Sequence, residues 1–457
     1  MRTVPTFKAH TLIIKSMRPT FFALLLLGIV STATAQETKK WTMQECIDYA
    51  LQNNIQIKKS NIKKRSMHED VLQSQAAMLP SLIAQTSQNV TYRPWPETGS
   101  ATVANGYVQK SVDKVFYNGS YGISANWIVW DGGRNTNTVK QNRMNEEMVQ
   151  TDSAITANNI QEQIVQLYVQ IVYSNEAISV NKESLETCRK NEERGKTMVE
   201  VGKMSKADLA QLTAQRAEAE YKVVEAETNV KDYKRQMKQL LQLTDTDFDV
   251  EIPHTTDEMA LEDIPALSNV YERAWASRPE IRQAMQGIKS SEISINLAKA
   301  KRMPTVSLNA SAVTNTTSMS DNKWGNQIKN NFNLGGGVTV DIPLFDNRQA
   351  RTAINKAKLQ HQDFVLDLEN ERTKLYSTIE NHWLQAESNQ NRFKAAKIGT
   401  ESAQASFDLL QEQFRLGLKN IVELMNGRDK LLAAKQNELQ SKFLTIYNIA
   451  MLKFYRQ

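Results

Sequence analysis

The chain carries one plan twice, and that duplication limits the folds open to it. Ala50, Ile57 and Pro80 recur as Ala274, Ile281 and Pro304, each 224 residues on. Trp130-Asp131-Gly132 recurs as Phe345-Asp346-Asn347, now 215 residues on. Gly202, Asp208 and Leu209 recur as Gly417, Glu423 and Leu424 at the same 215. The offset changes once, so the first half carries nine extra residues between its proline and its aspartate. An insertion confined to one place marks a loop that tolerates length variation. The expected organisation is a leader over 1–35, a first structural repeat over 36–243, a linker over 244–267 rich in Asp, Pro and Thr, and a second repeat over 268–457.

Composition shifts inside each repeat. Ser81 to Tyr92, Gly119 to Trp130 and Met303 to Ser320 hold no charged residue. Tyr121, Ile123, Ala125, Trp127 and Val129 alternate with Gly122, Ser124 and Asn126; Val306, Leu308, Ala310 and Ala312 alternate with Ser307, Asn309 and Ser311. Phe332, Leu334, Val338, Val340 and Ile342 likewise alternate with Asn333, Gly335, Gly337, Thr339 and Asp341. An apolar face against a small, polar one fits a transmembrane barrel strand. It also fits a half-buried strand of a soluble sandwich. Strand length and the lack of charge favour the membrane. Each repeat then supplies one hairpin, about 81–130 and about 304–343, with tips at Arg93 to Asn118 and Thr314 to Asn331. Four strands cannot close a barrel, and open edges are untenable in lipid. The chain must oligomerise for its strands to span, and three copies give a closed sheet of twelve, wide enough for a water-filled bore.

The rest reads as helix. Arg134 to Glu193 contains neither Pro nor Gly. Within it Ile160, Ile164, Leu167, Ile171, Ile178 and Leu185 follow a coiled-coil seam, with Ser174 and Asn181 filling the missing places. Lys206 to Leu243 returns as a packed hairpin rich in Ala, Glu, Lys, Gln and Leu. The second half repeats this over Ala350 to Leu416 and Asn420 to Phe454. Shorter helices over Met43 to Met78 and Ser268 to Lys301 feed the strands and stop at Pro80 and Pro304.

The first 35 residues read as a secretory signal. Lys8, Lys15 and Arg18 precede an apolar run, Phe21 to Val30, and Ala33-Thr34-Ala35 offers a cleavage site. Met1 and Met17 are both candidate starts. No Cys follows the small residues, so a lipid anchor is not indicated. The leader holds four basic and no acidic side chains, so its removal leaves +2 of the formal +6. The basic pI therefore gives no reason to expect nucleic-acid binding. Cys46 and Cys188 fall in different helical segments, and unpaired, partly buried thiols are expected.

Catalytic and cofactor chemistry finds no footing. Gly195-Lys196-Thr197 lacks the earlier Gly of a phosphate loop, Lys190 standing in its place. His68, His254, His361 and His382 show no metal-ligand spacing. No nucleophile elbow appears. Trp127 and Trp130, at the strand ends, fit an interfacial aromatic girdle. Not an enzyme, no cofactor and no metal are the expectations.

The whole pattern resembles an outer-membrane factor of the TolC type. The resemblance rests on WTMQECIDYALQNNIQI, the LPSL junction, WIVWDGGR and VDIPLFDNR at the strand-to-helix junctions, and the turns MVEVGKMSKADL and QFRLGLKNIVEL. It covers essentially all of the chain after the leader. It implies a mixed α/β membrane protein: a homotrimer with a shared transmembrane β-barrel in outer-membrane lipid and a long α-helical coiled-coil tunnel reaching into the periplasm. The expected function is a passive exit channel for small toxic molecules, driven by an inner-membrane pump through a periplasmic adaptor, the membrane fusion protein. Type I protein secretion, metal efflux and a pore-free periplasmic scaffold are the rival functions. The resemblance places adaptor docking at Val201, Gly202, Lys203, Met204 and Ser205 and at Leu416, Gly417, Leu418, Lys419 and Asn420, with Lys203, Met204, Leu418 and Lys419 exposed. Glycine at a turn between antiparallel helices accounts for Gly202 and Gly417 without a partner. Asp408, nine residues before Gly417, lies near the family's acidic constriction, and Glu193 is its repeat partner. A solvated helix face explains both acids equally simply.

Overall fold

The computed structural model describes residues 40–95, 99–103, 106–110, 114–244, 248–253 and 256–456. The leader expected over 1–35 and His254 lie outside the described residues. In chain order the elements are β1 (Lys40–Trp41), α1 (Met43–Asn53), α2 (Ile55–Ala76), β2 (Ser81–Tyr92), β3 (Gly99–Val103), β4 (Gly106–Lys110), β5 (Val115–Trp130), α3 (Arg134–Glu200) and α4 (Lys206–Leu241). There follow β6 (Asp249–Val250), α5 (Thr256–Ala260), α6 (Leu267–Ser277), α7 (Pro279–Ala300), β7 (Thr305–Thr317), α8 (Trp324–Asn330), β8 (Asn333–Asp341), α9 (Gln349–Arg415) and α10 (Ile421–Arg456).

The helices come in matched lengths. α1 and α6 have 11 residues, α2 and α7 have 22, α3 and α9 have 67, and α4 and α10 have 36. A helix of that greatest length extends roughly 100 Å. Shorter helices stack along it: α2 and α4 both pack on α3, and α7 and α10 both pack on α9. The main core, where α1, α3, α4, α9 and α10 meet, includes Cys46, Ile164, Ile171, Met237, Phe393 and Phe443. Of the expected seam, Ile160, Ile164, Ile171, Ser174 and Leu185 are buried.

Three expectations need correction. Each short feeder helix is two helices, broken by one residue in extended conformation: Asn54 (φ −61°, ψ 133°) and Arg278 (φ −66°, ψ 130°). Asn54 accepts from Gln56 N through Oδ1 at 2.8 Å and donates from Nδ2 to Leu240 O at 3.0 Å, so it caps α2 and ties it to α4. Arg278 precedes Pro279, which suits the first position of α7 but disfavours helix at the residue before it. The stretch between the halves is not bare linker. β6 pairs in parallel with β1, and Phe248, Val250 and Ala260 enter the main core. Finally, Cys46 and Cys188 are free but fully buried, and burial pushes the Cys46 thiol up to about 12.

β2, β5, β7 and β8 form one antiparallel sheet in that order. The hairpin of each half contributes two neighbouring strands, and β5 against β7 joins the halves. Both tips hold more structure than expected. β3 and β4 form a small hairpin inside the first, and β5 begins at Val115. α8 occupies the second.

Candidate functional site

Two regions carry the functional expectations: the paired turns at one end and the sheet at the other. The turn residues are set by backbone needs. After α3, Gly202 takes φ +73°; its N–H donates to Val199 O at 3.0 Å, and Lys203 N–H donates to Met198 O at 2.8 Å. After α9, Gly417 takes φ +76°; Gly417 N–H donates to Phe414 O at 3.0 Å and Leu418 N–H to Gln413 O at 2.9 Å. Both turns are Schellman motifs, which satisfy the last carbonyls of a helix and need a left-handed residue. Each is followed at once by a capped helix. Ser205 Oγ accepts from Asp208 N at 3.0 Å, and Asn420 Oδ1 accepts from Glu423 N at 2.9 Å. The chain thus leaves one helix and enters the next within five residues, twice, by one route.

The two turns share a core. Leu212 of α4 packs with Phe407, Phe414, Ile421, Leu424 and Leu431 of α9 and α10, and Met198 and Met204 lie against this cluster. Val201, Gly202, Lys203, Ser205, Leu416, Gly417, Leu418 and Asn420 are exposed, with Leu418 71% accessible. Met204 and Lys419 are half-buried instead of exposed, Met204 by that core and Lys419 by an ion pair to Glu423. The candidate gate acids Glu193 and Asp408 both lie on exposed helix faces, and Asp408 Oδ1 accepts from Gln404 Nε2 at 2.9 Å.

Sequence reasoning missed the buried acid beside them. Glu192 is buried between Thr213, whose Oγ1 donates to it at 3.0 Å, and Arg216, whose Nε lies 2.9 Å away. Only the heptad position of Glu192 could have signalled this. One arginine of the second hairpin, Arg428, is buried too and donates to Cys188 Sγ at 2.8 Å. Its Nη2 is 2.6 Å from Asp429 Oδ1.

Helix spacing near the turns follows a small-against-large rule. A Cβ added at Gly195 would stand 2.6 Å from Leu212 Cδ1, and one added at Gly427 would stand 2.6 Å from Leu410 Cδ1. In the first hairpin the outgoing helix supplies the glycine; in the second the returning helix does.

At the other end, register decides what the sheet can face. Leu82 opposes Ala125, Ala84 opposes Ile123, Trp127 opposes Leu308, Ile123 opposes Ala312, and Leu308 opposes Val338. Opposed residues share a face, so most large apolar residues of the four strands fall on one side, interrupted by Thr86, Gln88 and Thr314, while Ile83, Ile128 and Val313 lie on the other. The other side is lined by residues such as Ser124, Asn126, Ser311, Asn309 and Gly337. Trp127 is partly exposed at the helix-proximal end, where its Nε1 donates to Met78 O at 2.8 Å.

The described histidines have structural partners. His68 meets Glu146, His361 meets Ser291, and His382 meets Asn448. Among the described residues no group of His, Cys, Asp and Glu could hold a metal ion, and no helix is long and apolar enough to cross a membrane.

The sequence matches the family described as Outer membrane efflux protein over residues 46–242 and 270–444. The outer membrane efflux protein BepC of Brucella suis is 22% identical over 415 residues, covering 90% of this chain and 84% of BepC. Among solved structures, a CusC crystal structure aligns with a TM-score of 0.75 at 14% identity, covering 90% of this chain and 91% of CusC. The CmeC outer membrane channel of Campylobacter jejuni aligns with a TM-score of 0.74 at 15% identity, covering 91% and 85%. Matched helices, capped turns and a one-sided sheet therefore have a common explanation: the chain belongs to the outer membrane efflux protein family, a family of channels placed in the outer membrane and extending into the periplasm.

Proposed function

We propose that the protein is the passive exit duct of a tripartite efflux system, acting as a homotrimer and releasing small toxic molecules across the outer membrane. One observation carries the reading: the four-stranded sheet gathers Leu82, Ile123, Trp127, Leu308, Leu334 and Val338 on one face, and both its edge strands, β2 and β8, lack an outer partner among the described residues. An open sheet cannot stand in lipid. Three copies joined edge to edge would make a closed sheet of twelve strands. From Trp127 to Tyr117 the strand rises about 33 Å, or about 25 Å along the membrane normal once tilted, the height of an outer-membrane apolar band. The small, polar face would line the bore. The matched helix lengths support an origin by duplication, with helices from three copies enclosing a tunnel below the barrel.

The exposed ends of the two turns would meet the periplasmic adaptor, with Leu418 the foremost apolar contact. An inner-membrane pump would supply the energy. Glu193 and Asp408, exposed close above the turns, would set the charge of the tunnel mouth. A deletion strain exposed to antibiotics, bile salts and metal ions tests the cargo. Greater sensitivity to small organic toxicants is the expected result. An unchanged panel, together with lost secretion of a polypeptide, would overturn it.

A further inference from the structure

The edges of the sheet are unequal, and the inequality has a consequence at the subunit seam. Arg93 N–H donates to Lys114 O at 2.7 Å, so the odd-numbered residues of β2 turn their backbone groups towards β5. The even-numbered ones, Leu82, Ala84, Thr86, Gln88, Val90 and Tyr92, point theirs out of the sheet. Ser318 N–H donates to Tyr117 O at 2.9 Å, which turns the even-numbered residues of β7 towards β5 and the odd-numbered ones towards β8. On β8 the outward groups therefore belong to Leu334, Gly336, Val338 and Val340. Six residues on one edge face four on the other. Paired from the helix-proximal end, a seam between β8 of one copy and β2 of the next leaves Val90, opposite Tyr117 at the outer rim of the apolar band, and Tyr92, just beyond it, without a backbone partner.

Within one chain, the same shortfall is already solved on β7. Above Val313, where β8 has not begun, Gln327 of α8 stands in for a strand. Its Oε1 accepts from Thr317 N at 2.8 Å and its Nε2 donates to Thr317 O at 3.0 Å, while Asn331 Nδ2 donates to Asn315 O at 2.7 Å. Gln327 is buried, and α8 is held further by Thr314 Oγ1, which donates to Ile328 O at 2.7 Å, and by Trp324 edge-on to Tyr121 at 5.9 Å. At 100° per residue, the side of α8 opposite Gln327 carries Gly325 and Lys329. A Cβ at Gly325 would meet nothing within 4 Å, and Lys329 and its neighbour Asn330 are exposed.

We propose that α8 completes the subunit seam, taking the place of a longer β8 and covering Val90 and Tyr92 of the adjacent copy's β2 with its polar side chains. The inference rests on the closed-oligomer reading given above. The barrel would then be joined by a backbone ladder in its inner part and by side chains in its outer part.

The test uses the full-length protein in its native membrane and a short bis-maleimide. Lys329→Cys with Tyr92→Cys probes the α8 seam, and Val338→Cys with Ala84→Cys probes the ladder. Wild type, with its two buried thiols, is the background control. Both pairs are expected to give covalent dimers and trimers. Links from the ladder pair but none from the α8 pair would overturn the proposal and leave the closed oligomer standing. Links from neither would overturn both. Adding Gln327→Ala should cut the yield of the α8 pair several-fold and leave the ladder pair unchanged; equal yields would count against the role of Gln327.

Discussion

The two long hairpins follow one backbone route with exchanged side chains. Gly195 faces Leu212 in the first, and Leu410 faces Gly427 in the second, positions that correspond at the repeat offset of 215. Charge is exchanged less evenly. In the first hairpin Lys182 pairs with Glu227 at 2.9 Å. Their counterparts are Lys397 and Lys442, two like charges, and the chain between the halves supplies the missing acid. Asp257 of α5 lies 3.0 Å from Lys397 and 3.3 Å from Lys442, which Glu176 of α3 also meets. The strand-to-helix junctions differ similarly: Gly132 and Gly133 take positive φ in the first half, Asn347 and Arg348 in the second. A fixed interhelical distance needs one small and one large residue, from either side. A fixed charge balance needs an opposite sign, and here it is borrowed from outside the hairpin.

The largest expected effect breaks the junctions apart. A Cβ at Gly132 would lie 2.3 Å from Met303 Cβ as well as at φ +68°. Gly132→Ala should therefore cost about 2–4 kcal/mol, from overpacking plus a left-handed backbone, and Asn347→Ala about 1 kcal/mol. Thermal melts of the purified protein in detergent, followed by circular dichroism, would rank them. Next, Gly195→Leu should cost about 1–3 kcal/mol by crowding Leu212, and adding Leu212→Gly should recover most of it. Failure of that rescue would show that the hairpins are not interchangeable.

The charge exchange predicts a smaller asymmetry. Asp257→Asn leaves Lys442, which is buried, facing Lys397; with solvent screening discounted, it should cost about 1 kcal/mol. Glu227→Gln should give no measurable shift in the same melts. Burial, the strongest influence on Asp257, pushes its carboxyl up, but the hydrogen bond from Lys397 and the charge of Lys442 together hold it below the usual carboxylate range. A lowered folded-state value means the clasp is fully present above about pH 4 and is lost as pH falls through that lowered value. The difference between Asp257→Asn and wild type should vanish there. Most symmetrical, and so showing the least difference between the hairpins, are Gly202→Ala and Gly417→Ala. Each added Cβ meets open space, so each should cost about 1 kcal/mol, from φ alone.

Much of this was legible in the sequence, for physical reasons. Alternation without charge marks the strands over Ser81–Tyr92 and Thr305–Thr317, and Gly202 and Gly417 mark the turns because few other residues take positive φ cheaply. The break at Asn54 was hidden, since its cap on α2 is joined by a bond to the carbonyl of Leu240 on α4, which local sequence does not show. Its counterpart Arg278 makes no such bond; it lies between the rings of Phe454 and Tyr455, 4.3 and 4.0 Å from their centres. α8 was hidden too. Ser, Thr and Asn around it read as loop, and the use of Gln327 as a strand appears only beside the exposed edge of β7. The turns declared themselves, whereas the half-burial of Met204 depended on a core drawn from α4, α9 and α10; that of Lys419 follows from an i,i+4 pair with Glu423 that the spacing could have signalled.

The closed barrel stands on β2 and β8 pairing between copies. Amide hydrogen exchange on the detergent-solubilised assembly, resolved to single residues along β2, tests it most directly. With paired edges, Ala84, Thr86 and Gln88, whose N–H groups point out of the sheet, are protected as strongly as Ile83, Gln85 and Ser87, which face β5. Slow exchange at the odd-numbered residues with free exchange at the even-numbered ones would mean an open edge, and would contradict that pairing.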